Sequence, residues 1–299
     1  TGQITVDAGG GTGTVSAYGI YVSSSVAEGA SIVNDGMITV EAYSPYSEPG
    51  IAFGIYVGSD MDGTIDNSGT IDVYADAPYY TASAYGIYVS GIVGGDITNS
   101  GNILVEALSG SSSSAYVQGI YVGELDGSIT NSGLIDVYAH SVTTTAYAYG
   151  IYVGNSMDGT ITNSGSGVIT VAATAGEAGA EAYGVYIDGD VNIGGGIVND
   201  GRIEAVAETL NDSSSASAWG IYVDDGLYGT IENSGDILAS AMATSYSAYA
   251  YGIEIDGDLD GSITNTGTIT ALQGCAEGDA ISLGCEDYVQ SLPDIEDYI

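Results

Sequence analysis

Hydrophobic and polar residues alternate along most of the chain with a period of two. In the segment Ile20-Tyr21-Val22, Ile20 and Val22 fall on one side of an extended backbone and Tyr21 falls on the other. Tyr18, two residues before Ile20, is expected on the same inward side as Ile20. This alternation predicts β-strands, and no segment shows the spacing of an amphipathic helix.

The alternating segments belong to an internal repeat. An aromatic-Gly-Ile-Tyr-Val motif recurs at intervals of 31 to 36 residues, with small variations. A second motif, Ile-x-Asn-Ser-Gly or a close relative, follows each copy, and a third alternating segment such as 70–75 comes directly after it. Fixed-period repetition predicts a stack of similar units that share one core. The glycines of the first motif are Gly19, Gly54, Gly86, Gly119, Gly150, Gly184, Gly220 and Gly252.

These units predict an all-β fold, a parallel β-helix or β-solenoid with three strands per coil. About eight coils of roughly 33 residues would pile at about 4.8 Å per coil, so that each strand pairs with its equivalents above and below. We assign residues 1–271 to the solenoid. Residues 272–299, where the repeat degrades into an acidic tail, are expected to be a C-terminal cap or connector.

The second motif marks a corner between the second and third strands. Asn and Gly tolerate left-handed backbone, which makes Asn-Ser-Gly a turn signal. Stacked coils would place these asparagines in an inward column, where their amides can satisfy one another and the turn backbone. The predicted structural ladder contains Asn34, Asn67, Asn99, Asn131, Asn163, Asn199, Asn233 and Asn265.

Tandem Gly-Ile and Gly-x-Ile-x-Asn-Ser-Gly units of this form resemble the passenger repeats of bacterial autotransporters and related secreted adhesins. The resemblance covers about residues 1–271. It implies a right-handed parallel β-helix that is exported and displayed or shed outside the cell. An extracellular or cell-surface, bacterial location is therefore expected.

The charge excludes several classes of partner. Asp and Glu number 39 against a single basic residue, Arg202, and the formal net charge is -38. Such a chain has no cationic surface for phosphates, so binding to nucleic acid or anionic lipid is excluded. No run of about 18 apolar residues is present, which argues against a membrane-spanning segment. The 25 tyrosines and regular Ile and Val exclude a disordered chain.

Catalytic candidates are few. His140 is the sole histidine, falls at the start of a predicted loop and has no Cys or Lys partner for a nucleophilic site. Glu41 and Asp72 are expected at equivalent outward positions on neighbouring coils, which leaves a polysaccharide hydrolase or lyase as an outside alternative. We predict that the protein is not an enzyme and has no organic cofactor.

Acidic turns make calcium a candidate ligand. Acidic-Gly pairs end the loop between the first and second strands of several units, and stacking would bring their carboxylates into a column. Bound cations would relieve the repulsion, and Ca²⁺ prefers oxygen ligands. Plain solvated turns are the alternative interpretation. The candidate calcium ligands are Asp62, Asp126, Asp158, Asp256, Asp258 and Asp260.

Outward tyrosines form the most distinctive predicted surface feature. One interpretation is cross-strand stacking that stiffens the sheet. The other is a contact stripe for glycans, neighbouring fibres or surfaces, because a run of exposed aromatics marks interaction sites. The stripe would contain Tyr21, Tyr56, Tyr88, Tyr121, Tyr152, Tyr186 and Tyr222.

The two ends supply the remaining predictions. Cys275 and Cys285, an even number in a chain expected to be exported, favour a disulfide. Segment 3–8 matches a third strand and offers an open edge, through which copies could join head to tail as a homopolymer. We therefore predict an extracellular structural or adhesive β-solenoid that assembles into filaments or a surface matrix. A monomeric adhesin that binds glycans or surfaces is the alternative.

Overall fold

The computed structural model describes residues 2–10, 12–110, 113–211, 214–244, 246–275 and 288–290. Within these residues the chain is all β, with 26 strands and no helix. The strands form three sheets of ten, eight and eight strands that stack as a β-solenoid of eight coils. The predicted fold class is confirmed.

Each coil contributes one strand to each sheet. Sheet 1 contains β2 (Val15–Val22), β5 (Gly50–Val57), β8 (Ala82–Val93), β11 (Ala115–Leu125), β14 (Ala146–Val153), β17 (Ala180–Ile187), β20 (Ala216–Val223) and β23 (Ala248–Ile255). Sheet 2 contains β3 (Ser31–Asn34), β6 (Thr64–Asn67), β9 (Asp96–Asn99), β12 (Ser128–Asn131), β15 (Thr160–Asn163), β18 (Gly196–Asn199), β21 (Thr230–Asn233) and β24 (Ser262–Asn265). Sheet 3 contains β1 (Gln3–Gly9), β4 (Met37–Tyr43), β7 (Thr70–Ala77), β10 (Asn102–Ser109), β13 (Leu134–Ser141), β16 (Val168–Ala175), β19 (Arg202–Thr209), β22 (Asp236–Ala243), β25 (Thr268–Cys275) and β26 (Tyr288–Gln290).

Equivalent residues of successive coils are direct neighbours. Ile120 of sheet 1, for example, is in register with Ile87 on one side and Ile151 on the other. All strand pairs between coils are parallel, and β26 alone pairs antiparallel, with residues 271–273 of β25. Residue 271 lies inside β25, which continues to Cys275.

The core is a set of apolar columns between the three sheets. In the fourth coil, Ile120, Ile129 and Ile135 come from sheets 1, 2 and 3, and none of them is exposed. Burial of one such side chain stabilises the fold by about 1.5–3 kcal/mol. A single coil has no second layer to cover these residues, so the core exists only because the coils are stacked.

The predicted asparagine ladder runs through the corner between sheets 2 and 3. Its eight amides are joined coil to coil by hydrogen bonds of 2.7–2.9 Å, each from Nδ2 to the next Oδ1. Asn131 also donates to the backbone carbonyls of Gly133 and Val168, both at 3.3 Å. The amides of Asn99, Asn131 and Asn199 are fully buried, and these bonds offset the cost of their burial.

The glycines of these corners are required for a reason that differs from the expected one. Among the described glycines, only Gly10, Gly29 and Gly194 have a positive φ, so the Asn-Ser-Gly glycines are not in left-handed backbone. A Cβ added at Gly133 would lie 2.0 Å from the carbonyl oxygen of Gly101 in the coil below. The residue must be glycine because the two backbones approach too closely for a side chain.

Candidate functional site

The seven tyrosines of the predicted stripe lie on the outer surface of sheet 1 and form a continuous column. Each is in register with its equivalent in the next coil. Their ring centroids are 4.6–5.4 Å apart between successive coils. The structure therefore brings all seven together, from Tyr21 to Tyr222, as the first aromatic column. In the eighth coil Glu254 takes the place of the tyrosine.

A second aromatic column, which the sequence analysis missed, lies beside the first. It is made by the residue before each motif glycine, and Tyr18 contacts Tyr21 edge to face at 4.9 Å. The prediction that Tyr18 shares the inner side with Ile20 is therefore wrong. The members of this column are Tyr18, Phe53, Tyr85, Tyr149, Tyr183, Trp219 and Tyr251, with Gln118 in the fourth coil.

The motif glycine explains why both columns face outward. Gly19 and Ile20 both face the core, so the alternation skips one position there. A Cβ added at Gly19 would lie 2.5 Å from Ile38 Cγ2 and 2.6 Å from the carbonyl oxygen of Gly54. Only glycine fits, and its lack of a side chain lets Tyr18 and Tyr21 lie together on the outside.

Stacking within the columns determines what the surface presents. The ring planes of Tyr21 and Tyr56 are within 8° of parallel at 5.2 Å, and those of Tyr56 and Tyr88 are within 3° at 5.4 Å. Each such pair stabilises the fold by about 0.5–1.5 kcal/mol beyond its buried area. Where the rings are stacked, they cover one another's faces, whereas Tyr152 is tilted by 38° and 40° to its two neighbours. Where a column is interrupted, a stacked ring lacks the aromatic neighbour that would cover one of its faces.

Carboxylates interleave with the hydroxyl groups at the C-terminal end of the first column. The Tyr186 hydroxyl donates to Asp188 at 3.0 Å. The single hydrogen of the Tyr222 hydroxyl is shared between Asp224 at 2.8 Å and Asp256 at 3.1 Å. Burial and the neighbouring carboxylates raise the pKa of both tyrosines. Their hydroxyl groups therefore remain protonated donors in neutral and moderately alkaline solution. The sequence signal for this row of carboxylates is an aspartate two residues after the tyrosine, as in Tyr186 with Asp188 and Tyr222 with Asp224.

The first column ends beside a shallow groove, which we call the Trp219 groove. The ring spacing in the second column widens from 4.4 Å between Tyr183 and Trp219 to 6.0 Å between Trp219 and Tyr251. Trp219 Nε1 donates a hydrogen bond to Glu254 Oε2. The groove is lined by Ser217, Trp219, Tyr222, Tyr249, Tyr251, Glu254 and Asp256.

The candidate calcium ligands do not form the expected column. Backbone hydrogen bonds place Gly94 between Asp62 and Asp126, so these two aspartates are two coils apart. Asp126 and Asp158 do lie in neighbouring coils. The next coil has Asn192, whose Nδ2 donates a 2.7 Å hydrogen bond to Asp158. The expectation of a continuous carboxylate column is wrong, because loops of unequal composition occupy the intervening coils.

The other three candidates, Asp256, Asp258 and Asp260, lie in the exposed segment that follows β23. Asp256 lies within hydrogen-bond distance of the Tyr222 hydroxyl. The position equivalent to Asp260 holds Tyr228 in the preceding coil and Asn192 in the coil before that. No group of three or more His, Cys, Asp or Glu side chains in the described ranges is arranged to hold a metal ion. Calcium binding stays a prediction.

The two carboxylates considered for glycoside chemistry are not in equivalent positions. Glu41 is in register with Tyr74, whereas Asp72 is in register with Thr39 and Leu104. The expected equivalence of Glu41 and Asp72 is therefore wrong by two residues. Both carboxylates face outward, but they lie at different positions along their strands in sheet 3.

A different carboxylate group lines a shallow groove on the outer surface of sheet 3. Asp72, Glu106 and Asp136 flank it, together with Tyr74 and Tyr138. Burial raises the pKa of all three carboxyl groups, and the charges of Asp72 and Asp76 raise that of Glu106 further. These groups hold protons more strongly than free carboxyls do, which is useful for an acid catalyst but equally follows from burial of the three groups and, at Glu106, from the neighbouring charges.

The remaining candidates have limited roles. His140 lies in β13 and not in a loop as expected, because that strand continues to Ser141. Its ring is 6.4 Å from Tyr138, and its buried Nδ1 has no hydrogen-bond partner within the described part of the chain. Cys285 lies outside the described residues, so the predicted Cys275–Cys285 disulfide stays a prediction.

Comparisons with protein-family models, with curated proteins and with solved structures find no match. A search of the described residues for a helix able to cross a membrane finds none.

Proposed function

We propose that this chain is a non-catalytic, extracellular structural rod. The observation that carries the proposal is that every boundary between coils is built in the same way. Each boundary is crossed by three parallel strand pairs, by the apolar columns and by the asparagine ladder. Eight coils at about 4.8 Å per coil give a stack of about 38 Å.

The outer aromatic columns support a mechanical role more strongly than a role in sugar stacking. Their rings contact one another from coil to coil, so the columns add further attraction across each boundary. Three sheets that share one core cannot bend independently of one another. These features favour a stiff element that holds its shape under load, and an outside location follows from the resemblance of the repeats to secreted passengers.

An adhesive role is the second candidate, and the exposed aromatic and acidic surface of sheet 1 supports it. End-to-end homopolymerisation stays a prediction. Residues 288–290 of β26 pair with the outer edge of β25, so a second copy could not continue sheet 3 there without displacing β26.

The structural role can be tested by pulling single molecules through peptide tags at the two ends. A rod should resist extension and then unfold in discrete steps, coil by coil. Asn131→Ala should lower the unfolding force. Ser132→Ala, which removes only a 3.4 Å bond from the Ser132 hydroxyl to the Asn99 carbonyl, should lower it far less. Extension at low force without steps would contradict the proposal.

A parallel assay addresses the catalytic alternative. The full chain is incubated with a panel of neutral and acidic polysaccharides, and reducing and unsaturated ends are measured. We expect no release above the blank. Release that disappears in Glu106→Gln, with folding intact by circular dichroism, would replace the structural proposal with a catalytic one.

A further inference from the structure

The Trp219 groove is the place on sheet 1 where free aromatic faces and carboxylates meet. In the preceding coils each tyrosine of the first column has the tyrosine of the next coil as an aromatic neighbour, with ring centroids 4.6–5.4 Å apart. Tyr222 is followed by Glu254 instead, so one face of its ring has no aromatic neighbour in the next coil. Tyr249, on the rim, is 44% exposed.

The groove also concentrates negative charge. Asp224 and Asp256 share the single hydroxyl hydrogen of Tyr222, and Glu254 accepts a hydrogen bond from Trp219. Glu254 uses Oε2 for this bond, and no described residue donates to its Oε1. Burial raises the pKa of Tyr251, and the negative charges of Glu254 and Asp256 contribute.

No basic residue of the chain neutralises these carboxylates. The only Lys or Arg is Arg202. It lies in sheet 3, where its guanidinium pairs with Glu204 at 2.6 Å. With a net charge of -38, the surface attracts cations from a distance, and the groove is where that attraction coincides with aromatic faces.

We propose that the Trp219 groove binds an arginine side chain presented by a basic protein partner. A guanidinium group is planar, stacks on aromatic faces and donates paired hydrogen bonds to a carboxylate. The face of Tyr222 that has no aromatic neighbour in the next coil supplies the stacking surface, and Glu254 and Asp256 supply the carboxylates. A lysine ammonium can satisfy the charge but has no plane to stack, so arginine fits better. This inference goes beyond the structural role and does not depend on it.

The experiment uses the only tryptophan of the chain, which lies in the groove itself. The full-length protein is titrated with a hexa-arginine peptide at physiological ionic strength, and the emission of Trp219 is recorded. The same peptide with citrulline at each arginine is the neutral control, and hexalysine is the control for charge. We expect a saturable change with arginine, weaker binding with lysine and none with citrulline.

Variants separate the groove from general electrostatic attraction. Glu254→Gln removes one charge and keeps an acceptor for Trp219, and it should weaken binding of hexa-arginine by about tenfold or more. Glu232→Gln removes one charge from the exposed surface of sheet 2 and should have little effect. Thermal unfolding of both variants checks the fold.

Several results would overturn the proposal. Equal weakening by Glu254→Gln and Glu232→Gln would show that only net charge matters. Equal affinity for hexalysine, or an equal emission change with the citrulline peptide, would show that the groove does not recognise the guanidinium group. A neutral oligosaccharide that changes Trp219 emission at lower concentration than hexa-arginine would identify the groove as a sugar site.

Discussion

The asparagine ladder and the first aromatic column run the length of the same stack, yet they differ in how strictly they repeat. The ladder position is asparagine in every one of the eight coils. The aromatic columns are less regular, because Glu254 replaces an aromatic residue in the first column and Gln118 replaces one in the second. The ladder is buried at a corner, whereas the columns lie on the outer surface.

This difference follows from the cost of a missing partner. A buried amide that loses its neighbour keeps an unsatisfied polar group, and each such group costs about 1–3 kcal/mol. An exposed ring that loses a neighbour loses only part of an attraction of about 0.5–1.5 kcal/mol, and water takes the vacated position. The outer columns can therefore change locally, and the Trp219 groove is one such change.

The largest expected effect comes from a substitution in the middle of the asparagine ladder. Asn131→Ala removes the side-chain acceptor of Asn99 Nδ2, which keeps only its 3.2 Å bond to the Leu134 carbonyl, and leaves the buried Oδ1 of Asn163 without its donor. The free energy of unfolding should fall by about 2–5 kcal/mol, as measured by urea denaturation. Asn265→Ala, at the half-buried last rung, is the matched control and should cost less. Equal losses at the two positions would show that ladder burial does not set the cost.

An intermediate effect is expected in alkaline solution. Burial first, and then the charges of Tyr121, Tyr85 and Tyr56, raise the pKa of Tyr88 from 10.0 to about 12. A pKa raised on folding means that the folded state holds the proton more strongly, so this contribution to stability is complete below pH 10. It should be lost as the pH rises from about 10 through about 12.

Denaturation in urea across that window measures the loss. Tyr88→Phe keeps a ring in the column and removes the ionisable group, so its stability should fall less steeply with pH than that of the wild type. Identical slopes for the two proteins would contradict the assignment of Tyr88.

The smallest effect comes from repairing the second column. Gln118 is in register with Tyr85 and Tyr149, and its buried Oε1 has no partner within the described residues. Gln118→Tyr should raise the free energy of unfolding by about 0.5–1.5 kcal/mol, because it joins two interrupted stacks. Gln118→Leu, which adds apolar contact without a ring, should gain less. A gain as large with leucine would attribute the effect to burial alone.

Residue spacing predicted the features that depend on equivalent positions in successive coils. The strand order, the inward isoleucines and the asparagine ladder all follow from the repeat, because equal spacing puts equal residues in contact. The tyrosine column was brought together by the same rule, and its stacked rings are found at the expected positions.

The features that were missed depend on local backbone. Tyr18 was placed on the wrong side because glycine has no side chain to show that the alternation skips a position at Gly19. The prediction of an aspartate column was wrong because these aspartates lie in connecting loops, where Gly94 and Asn192 hold the equivalent positions in other coils. Glu41 and Asp72 were misaligned for a related reason, since the repeat length varies and register must be counted from each strand.

The asparagine ladder also gives the molecule a direction. Every amide from Asn34 to Asn233 donates toward the C-terminal end, and none donates the other way along the row. Aligned amide dipoles add, and hydrogen bonds in a chain polarise one another. One extremity of the row accordingly shows an acceptor and the opposite extremity a donor, so the two are electrically distinct. A molecule that prolonged the row would have to approach in a single orientation.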